Sequence, residues 1–271
     1  MNDKIHLTVS DFEPANAFNF ELDIELGLNH YNYAIIDGDK KAVKAISSDQ
    51  SNIFNELEGS LLQTHFAKTK ISIITKKYTF IPTALFQKDN LEVYAKYIQP
   101  QPNEIVLTNQ LLDGEITAVY AFDKLLLDKI EKHFPAAKLY PQFSSLISGV
   151  NYGFSLIKEA QVFANFRSDF LEIIIYNSGE FQYYNIFEFE NDEEILYFLL
   201  LATQQNNLHP TNAMLKISGD INTQGDTYKR LKEHYNRIEI IDQDSLPLTS
   251  LGIQTSVMPR FFSLLSLQLC E

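Results

Sequence analysis

The chain has 271 residues, 45% of them hydrophobic, an ordinary globular composition long enough for two medium domains or one large one. Lys and Arg number 22 against 35 Asp and Glu, and the resulting charge of -13 repels phosphate backbones and anionic lipid heads, so nucleic-acid binding is disfavoured. The single cysteine, Cys270, excludes an intrachain disulfide and thiolate metal sites, and fits a reducing compartment.

Residues 1–17 are polar and read as an N-terminal arm or a short edge strand. Residues 20–27 alternate, with Phe20, Leu22, Ile24 and Leu26 against Glu21, Asp23 and Glu25. That period of two predicts a half-buried strand with Asp23 and Glu25 together on its solvent side. Gly27-Leu28-Asn29-His30 can turn, and strands follow at 31–36 and 41–46 across the hairpin signal Asp37-Gly38-Asp39. Ser47, Ser48 or Asp49 can cap a helix over 51–66, with Ile53, Phe54, Leu57, Leu61, Leu62 and Phe66 on its apolar face. Strands are predicted at 70–75 and 79–85, where Pro82 marks an edge or bend, then a helix at 90–98. Strands 104–109 and 115–122 pair across a turn ending in Asp113-Gly114. A helix at 123–134 is capped by Asp123, a short strand covers 137–140, and Pro141 opens a helix to about Ile157.

Residues 161–190 restart the pattern as three antiparallel strands, 162–166, 170–177 and 180–187, with turns Arg167-Ser168-Asp169 and Asn177-Ser178-Gly179. The third strand carries Phe181, Tyr183, Tyr184 and Phe187, followed by Phe189. Either its outer face is an exposed aromatic partner surface, or both faces are covered by helices. A helix at 192–206, a strand at 213–217, the joint Ser218-Gly219-Asp220, a helix at 227–235 and a strand at 237–241 complete the second half. A last amphipathic helix is expected over 257–270, with Pro259 in its first turn. Both halves therefore begin with a three-stranded meander, then a helix, then a parallel strand. The order βββαβαβα describes a ribonuclease H-like fold, and the division expected is an arm at 1–17, a first domain at 18–157 and a second at 158–271.

This order of elements resembles the actin-like ATPase superfamily, closest to bacterial assembly proteins of the pilus-assembly and division-protein type. Phe187 to Ile195 and Met214 to Ile221 stand where those proteins have their strand-to-helix and strand-to-glycine joints. Over residues 18–270 the chain is similar to domain-of-unknown-function family 3822. The resemblance implies mixed α/β sheets in two tandem ribonuclease H-like domains, with a nucleotide held between two lobes. Each lobe then offers a turn between its first two strands carrying an aspartate, a glycine and small hydroxyl residues. Main-chain N–H groups in such a turn approach phosphates, and the aspartate organises Mg²⁺ through water.

Set against that pattern, Glu25 stands in place of the aspartate, Gly27 matches the glycine and Leu28 replaces a hydroxyl residue. In the second turn Asn165 lacks the carboxylate and Arg167 the glycine, leaving Ser168 as the hydroxyl residue. Arg167 could pair with an anion, but reads first as a turn cation. Gly219 keeps one of two glycines expected on the adenosine side, and Asp220 adds a negative charge beside it. Gln142 and Glu159 are loose counterparts of the catalytic residue between the lobes.

Two functional readings follow. The first is a cytoplasmic, non-catalytic interaction or scaffold protein on a degenerate actin-like ATPase fold. It predicts no cofactor, no metal, no nucleic acid and no membrane insertion, with a protein partner that the sequence leaves unidentified. The alternative is a divergent ATP-binding protein or ATPase that takes ATP and Mg²⁺ through Glu25, Gly27, Asn165, Ser168 and Gly219. A metal-dependent nuclease on Asp23 and Glu25 is a third, weaker idea. The six histidines form no short ligand pair, and no P-loop or Gly-x-Ser-x-Gly occurs. The first residues lack an apolar signal core, and no run reaches the roughly 18 apolar residues of a membrane helix.

Overall fold

A computed structural model describes residues 4–27, 30–241 and 243–270. The chain divides into two compact units. The first comprises Met1–Ser148, Leu248–Ile253 and Leu264–Glu271; the second comprises Gly149–Pro247 and Gln254–Ser263.

In the first unit the order is β1 (Ile5–Thr8), β2 (Glu21–Leu26), β3 (Tyr31–Asp37), β4 (Ala42–Asp49), α1 (Ile53–Glu56), β5 (Lys68–Ile73), β6 (Tyr78–Pro82), α2 (Leu91–Ile98), β7 (Glu104–Leu111), β8 (Ile116–Asp123), α3 (Lys124–His133) and β9 (Lys138–Pro141). Helix α4 (Gln142–Phe154) runs from this unit into the next. Six strands form one sheet in the order β1-β4-β3-β2-β5-β9. Its β2–β3–β4 meander is antiparallel, whereas β5 and β9 add in parallel to β2. The expected edge strand is β1, paired with β4. A smaller sheet, β6-β8-β7, makes its own core from Ile98 of α2 with Val119 and Ala121.

Strand β2 has a neighbour on each side and is buried from Leu22 to Leu26. The solvent side expected for Asp23 and Glu25 is therefore corrected: both are buried. Alternation marks two faces, but β2 lies inside a mixed sheet, between antiparallel β3 and parallel β5, and both of its faces are covered. The helix expected over 51–66 also contracts. Asn52 caps α1 by accepting from the Phe54 N–H at 3.1 Å, but Gly59 takes a positive φ of +72° and only a 3₁₀ turn, Leu61–Gln63, follows. Ile53, Leu57, Leu62 and Phe66 are nevertheless all buried, so the apolar spacing marked a core face without a continuous helix.

The second unit holds β10 (Gln161–Phe166), β11 (Phe170–Asn177), β12 (Glu180–Glu188), α5 (Asp192–Gln205), β13 (Met214–Gly219), α6 (Asp226–His234) and β14 (Arg237–Ile240). Its sheet, β12-β11-β10-β13-β14, repeats the first unit's sequence of two antiparallel and two parallel pairings. Even the irregularity between the second and third strands recurs, at Ile35/Ile36 and at Ile175/Tyr176. Ile195 and Leu199 of α5 and Leu231 of α6 pack on the strand residues Val162, Ala164, Ile173 and Leu215.

The aromatic strand β12 follows the covered reading. Tyr184 is buried, Tyr183, Phe187 and Phe189 pack on the core, and Phe187 stacks on Phe198 of α5 at 4.6 Å. The last predicted helix is broken into a 3₁₀ segment Thr255–Phe261, α7 (Phe262–Leu265) and a 3₁₀ segment Ser266–Leu269. The Pro259 ring would crowd the carbonyl four residues back in an α turn, which disfavours that turn there.

Phe143 of α4 is fully buried against the rings of Tyr78, Phe80 and Tyr120, at 5.2, 5.2 and 5.8 Å. Phe143→Ala is expected to cost about 3–5 kcal/mol in urea unfolding. A loss under about 1 kcal/mol would show that the site collapses and that Phe143 does not anchor this aromatic group.

Candidate functional site

The two turns singled out by the sequence close in the same way. The Gly27 N–H donates to the His30 carbonyl at 2.9 Å, and the Arg167 N–H to the Phe170 carbonyl, also at 2.9 Å. Leu28, with Asn29, lies outside the described residues. A Cβ on Gly27 would lie 2.1 Å from the His30 ring, so glycine here makes room for that ring.

Below each turn three neighbouring strands place a carboxylate, an amide and a serine in register. In the first unit Glu25 of β2 faces Asn32 of β3 on one side and Ser72 of β5 on the other. In the second, Asn165 of β10 faces Glu172 of β11 and Ser218 of β13. Acid and amide have exchanged strands, seven residues apart in both cases. The Asn32 Nδ2 donates to the Glu25 carboxylate at 3.0 Å, and the Asn165 Nδ2 donates to Glu172 at 2.7 Å. All of these side chains are buried.

The two sets then diverge. In the second unit the Ser218 hydroxyl donates to Asn165 Oδ1 at 2.8 Å, Tyr184 donates to Glu172 Oε1 at 2.8 Å, and Arg167 Nε approaches Glu172 Oε2 at 3.4 Å. Arg167 is therefore no surface turn cation, contrary to expectation. It is buried because the fully buried Glu172 carboxylate needs a compensating charge. In the first unit the Ser72 hydroxyl is buried with no hydrogen-bond partner among the described residues.

Among the other residues the sequence singled out, Gly219 is forced by geometry. Its φ is +87°, and a Cβ would fall 2.0 Å from the Phe166 carbonyl oxygen, which also accepts from the Asp220 N–H at 2.9 Å. The β10–β13 pairing sets Gly219 opposite Phe166 and Asn165 opposite Ser218, whereas Ser168 sits exposed on the turn with its hydroxyl 3.4 Å from Asp169. Asp220 forms an ion pair with Arg260 at 2.5 Å. Gln142 grips the main chain of Thr75, accepting from its N–H at 2.9 Å and donating to its carbonyl at 3.1 Å. Glu159 pairs with Arg237 at the surface.

Sequence reasoning missed Asn32, Glu172, Tyr184 and the two serines. Glu172 had a signal: it is the one charge in the otherwise apolar run Phe170-Leu171-Glu172-Ile173-Ile174-Ile175.

Asp23, on the same side of β2 as Glu25, is fully buried. Gln268 Nε2 donates to its Oδ2 at 2.8 Å, while Oδ1 has no partner among the described residues. Burial pushes its acid up to about 7, against the opposing pull of the Gln268 hydrogen bond and the nearby Lys70 charge. Lys70 Nζ in turn donates to the carbonyls of Leu267 and Cys270, at 3.1 and 2.7 Å. Burial likewise raises the Cys270 thiol to about 11, which keeps it unreactive. Among the described residues no group of three or more His, Cys, Asp or Glu is placed to hold a metal ion.

With this geometry in place, the comparisons define the class. The structure is similar to that of a Bacteroides thetaiotaomicron VPI-5482 protein with actin-like ATPase fold and unknown function, at 20% identity and a TM-score of 0.79, covering 96% of this chain and 99% of that one. It is also similar to a chain of the PilM-PilN type IV pilus biogenesis complex, at 12% identity and a TM-score of 0.63, covering 92% and 97%. These likenesses define an actin-like ATPase fold built on mixed α/β sheets. The chain belongs to the family described as Protein of unknown function (DUF3822), whose model matches residues 9–238. No curated protein matches it by sequence. No helix among the described residues is long and apolar enough to cross a membrane.

Two outcomes follow from the site. Gly219→Ala should lower stability by more than about 2 kcal/mol, because a strained φ and a main-chain clash add together. An unchanged melting temperature would refute the clash. For Asp23, the folded state holds a proton that the unfolded chain releases between the ordinary 3.8 and about 7. Wild-type stability therefore falls as pH rises through that window and levels off above it. Asp23→Asn should remove the fall, making the variant more stable by on the order of 3–4 kcal/mol near pH 8 and about equal near pH 4. Urea unfolding of both proteins across this range checks it; parallel stability curves would contradict it.

Proposed function

We propose that this protein is a non-catalytic interaction protein, in which the second turn's share of the nucleotide site has been converted into buried polar core. The observation that carries the reading is the Glu172 cluster. Around the frame of a phosphate-binding turn, Asn165, Arg167 and Tyr184 all turn to the buried Glu172 carboxylate, and the Ser218 hydroxyl donates to Asn165. Arg167 replaces the glycine whose bare main chain would approach a phosphate, and Asp220 is already neutralised by Arg260. A fold neighbour from the PilM-PilN type IV pilus biogenesis complex supports use of this fold within an assembly.

One observation favours the second reading, a divergent ATP-binding protein. The first unit retains a buried carboxylate at Glu25, beside Gly27 and the Ser72 hydroxyl, which has no hydrogen-bond partner among the described residues. Glu25 and Gly27 would then carry Mg·ATP, with Asn165, Ser168 and Gly219 in reduced roles.

Isothermal titration of the full chain with Mg·ATP separates the two. No saturable heat at micromolar nucleotide is expected. Saturable binding that disappears in Glu25→Gln would overturn the interaction reading in favour of the second.

A further inference from the structure

A groove of about 630 Å³ opens within the first unit, well inside the roughly 300–1,000 Å³ span of ligand-holding clefts. It is formed by residues 62–70 leading into β5, by residues 133–138 between α3 and β9, and by Gln268 and Cys270. Its basic lining residues are Lys68, Lys70, Lys138, His65 and His133, and no Asp or Glu lines it among the described residues. In a chain of net charge -13 this lining is locally basic, although Glu21 pairs with Lys68 and Asp23 is the register neighbour of Lys70.

The lysines are laid out by the sheet. Lys70 and Lys138 are register neighbours on the parallel strands β5 and β9, so they share a face. Lys68 lies two residues before Lys70 on that face, a step of roughly 6–7 Å along a strand. Lys70 is committed to the Leu267 and Cys270 carbonyls, and Lys68 also holds Glu21 at 2.8 Å. Lys138 is exposed. Phe66 and Phe134 provide buried apolar wall between the charges. Strand β9 is the last of its sheet, so its outer main-chain groups are outside the sheet ladder.

We propose that this groove binds an acidic peptide segment of a protein partner, with carboxylates on the lysine face and an apolar side chain against Phe66 and Phe134. Charges spaced along a ladder, with apolar wall between them, suit an extended chain better than a compact anion, which needs converging donors. The proposal names a partner chemistry for the interaction reading and rests on it. The Mg·ATP titration tests that reading, and the selection below tests the groove alone.

A library of random short peptides would be selected on the full chain, and the enriched peptides measured by fluorescence anisotropy. Enrichment of acidic sequences carrying a large apolar residue is expected. Affinity should fall roughly tenfold or more in Lys138→Glu and stay within about threefold in Lys138→Arg. Lys138 is exposed, so folding should survive both changes, and circular dichroism verifies it. Failure to enrich acidic peptides would overturn the proposal, as would equal affinity for Lys138→Glu. So would groove-dependent binding of a single-stranded oligonucleotide in place of the peptides, or self-association of the chain abolished by Lys138→Glu.

Discussion

The interaction on which each sheet's centre depends is a carboxylate held by an amide across two antiparallel strands: Glu25 with Asn32, and Glu172 with Asn165. Each pair lies next to the point where the meander accepts its first parallel strand, β5 or β13. A carboxylate there has no water to fall back on, and burying it without partners costs several kcal/mol. The strand order, the register and the serine on the third strand are constrained together, because a one-residue slip would carry the acid to the opposite face and leave the amide behind.

The two units meet this constraint differently. The second neutralises Glu172 with Arg167 and adds the Tyr184 hydroxyl. The first places a second acid, Asp23, on the same side of β2, and there burial is relieved by holding a proton rather than by a cation. Lys70, the register neighbour of Asp23, is drawn instead to the carbonyls at the end of the C-terminal 3₁₀ segment, which Gln268 also ties to Asp23. The chain's last turn is thus fixed to the central strands of the first unit by a lysine and an amide. That is a polar attachment sensitive to charge, unlike the apolar contact that holds α5 on the second sheet.

Much of the fold was legible because the local signals agree with one another. Hairpin turns such as Asp37-Gly38 and Ser178-Gly179, β-branched runs and the helix cap at Asp123 each point to the element found. The errors concern residues whose surroundings are set by strand pairing, or by a turn that interrupts helical spacing. Asp23 and Glu25 alternate as a half-exposed strand would, and only the later arrival of β5 beside β2 shows that both faces are covered. Arg167 looks like any turn cation until the register places Glu172 beneath it. The 51–66 segment has helical apolar spacing, but Gly59 turns left-handed and the spacing serves a bent chain. The candidate site was half legible: the turn glycine and its substitutions could be read from β2 and β10, but Asn32, Glu172 and the serines come from strands that the turn pattern does not include.

This division bears on how such a site changes its use. A turn that holds phosphate keeps its donors unspent until the ligand arrives, at a cost in folded stability. Filling it with internal partners relieves that cost, provided every new polar group is itself paired, since a half-satisfied buried set is worse than an apolar one. In the Asn165–Arg167–Glu172–Tyr184–Ser218 cluster each residue has at least one bond to another member. The Glu25–Asn32–Ser72 set leaves a buried hydroxyl over among the described residues. On physical grounds the second turn has the arrangement expected of a finished core. The first still holds a polar group that a ligand or an ordered water would satisfy, which makes Glu25 the residue at which the two functional readings part.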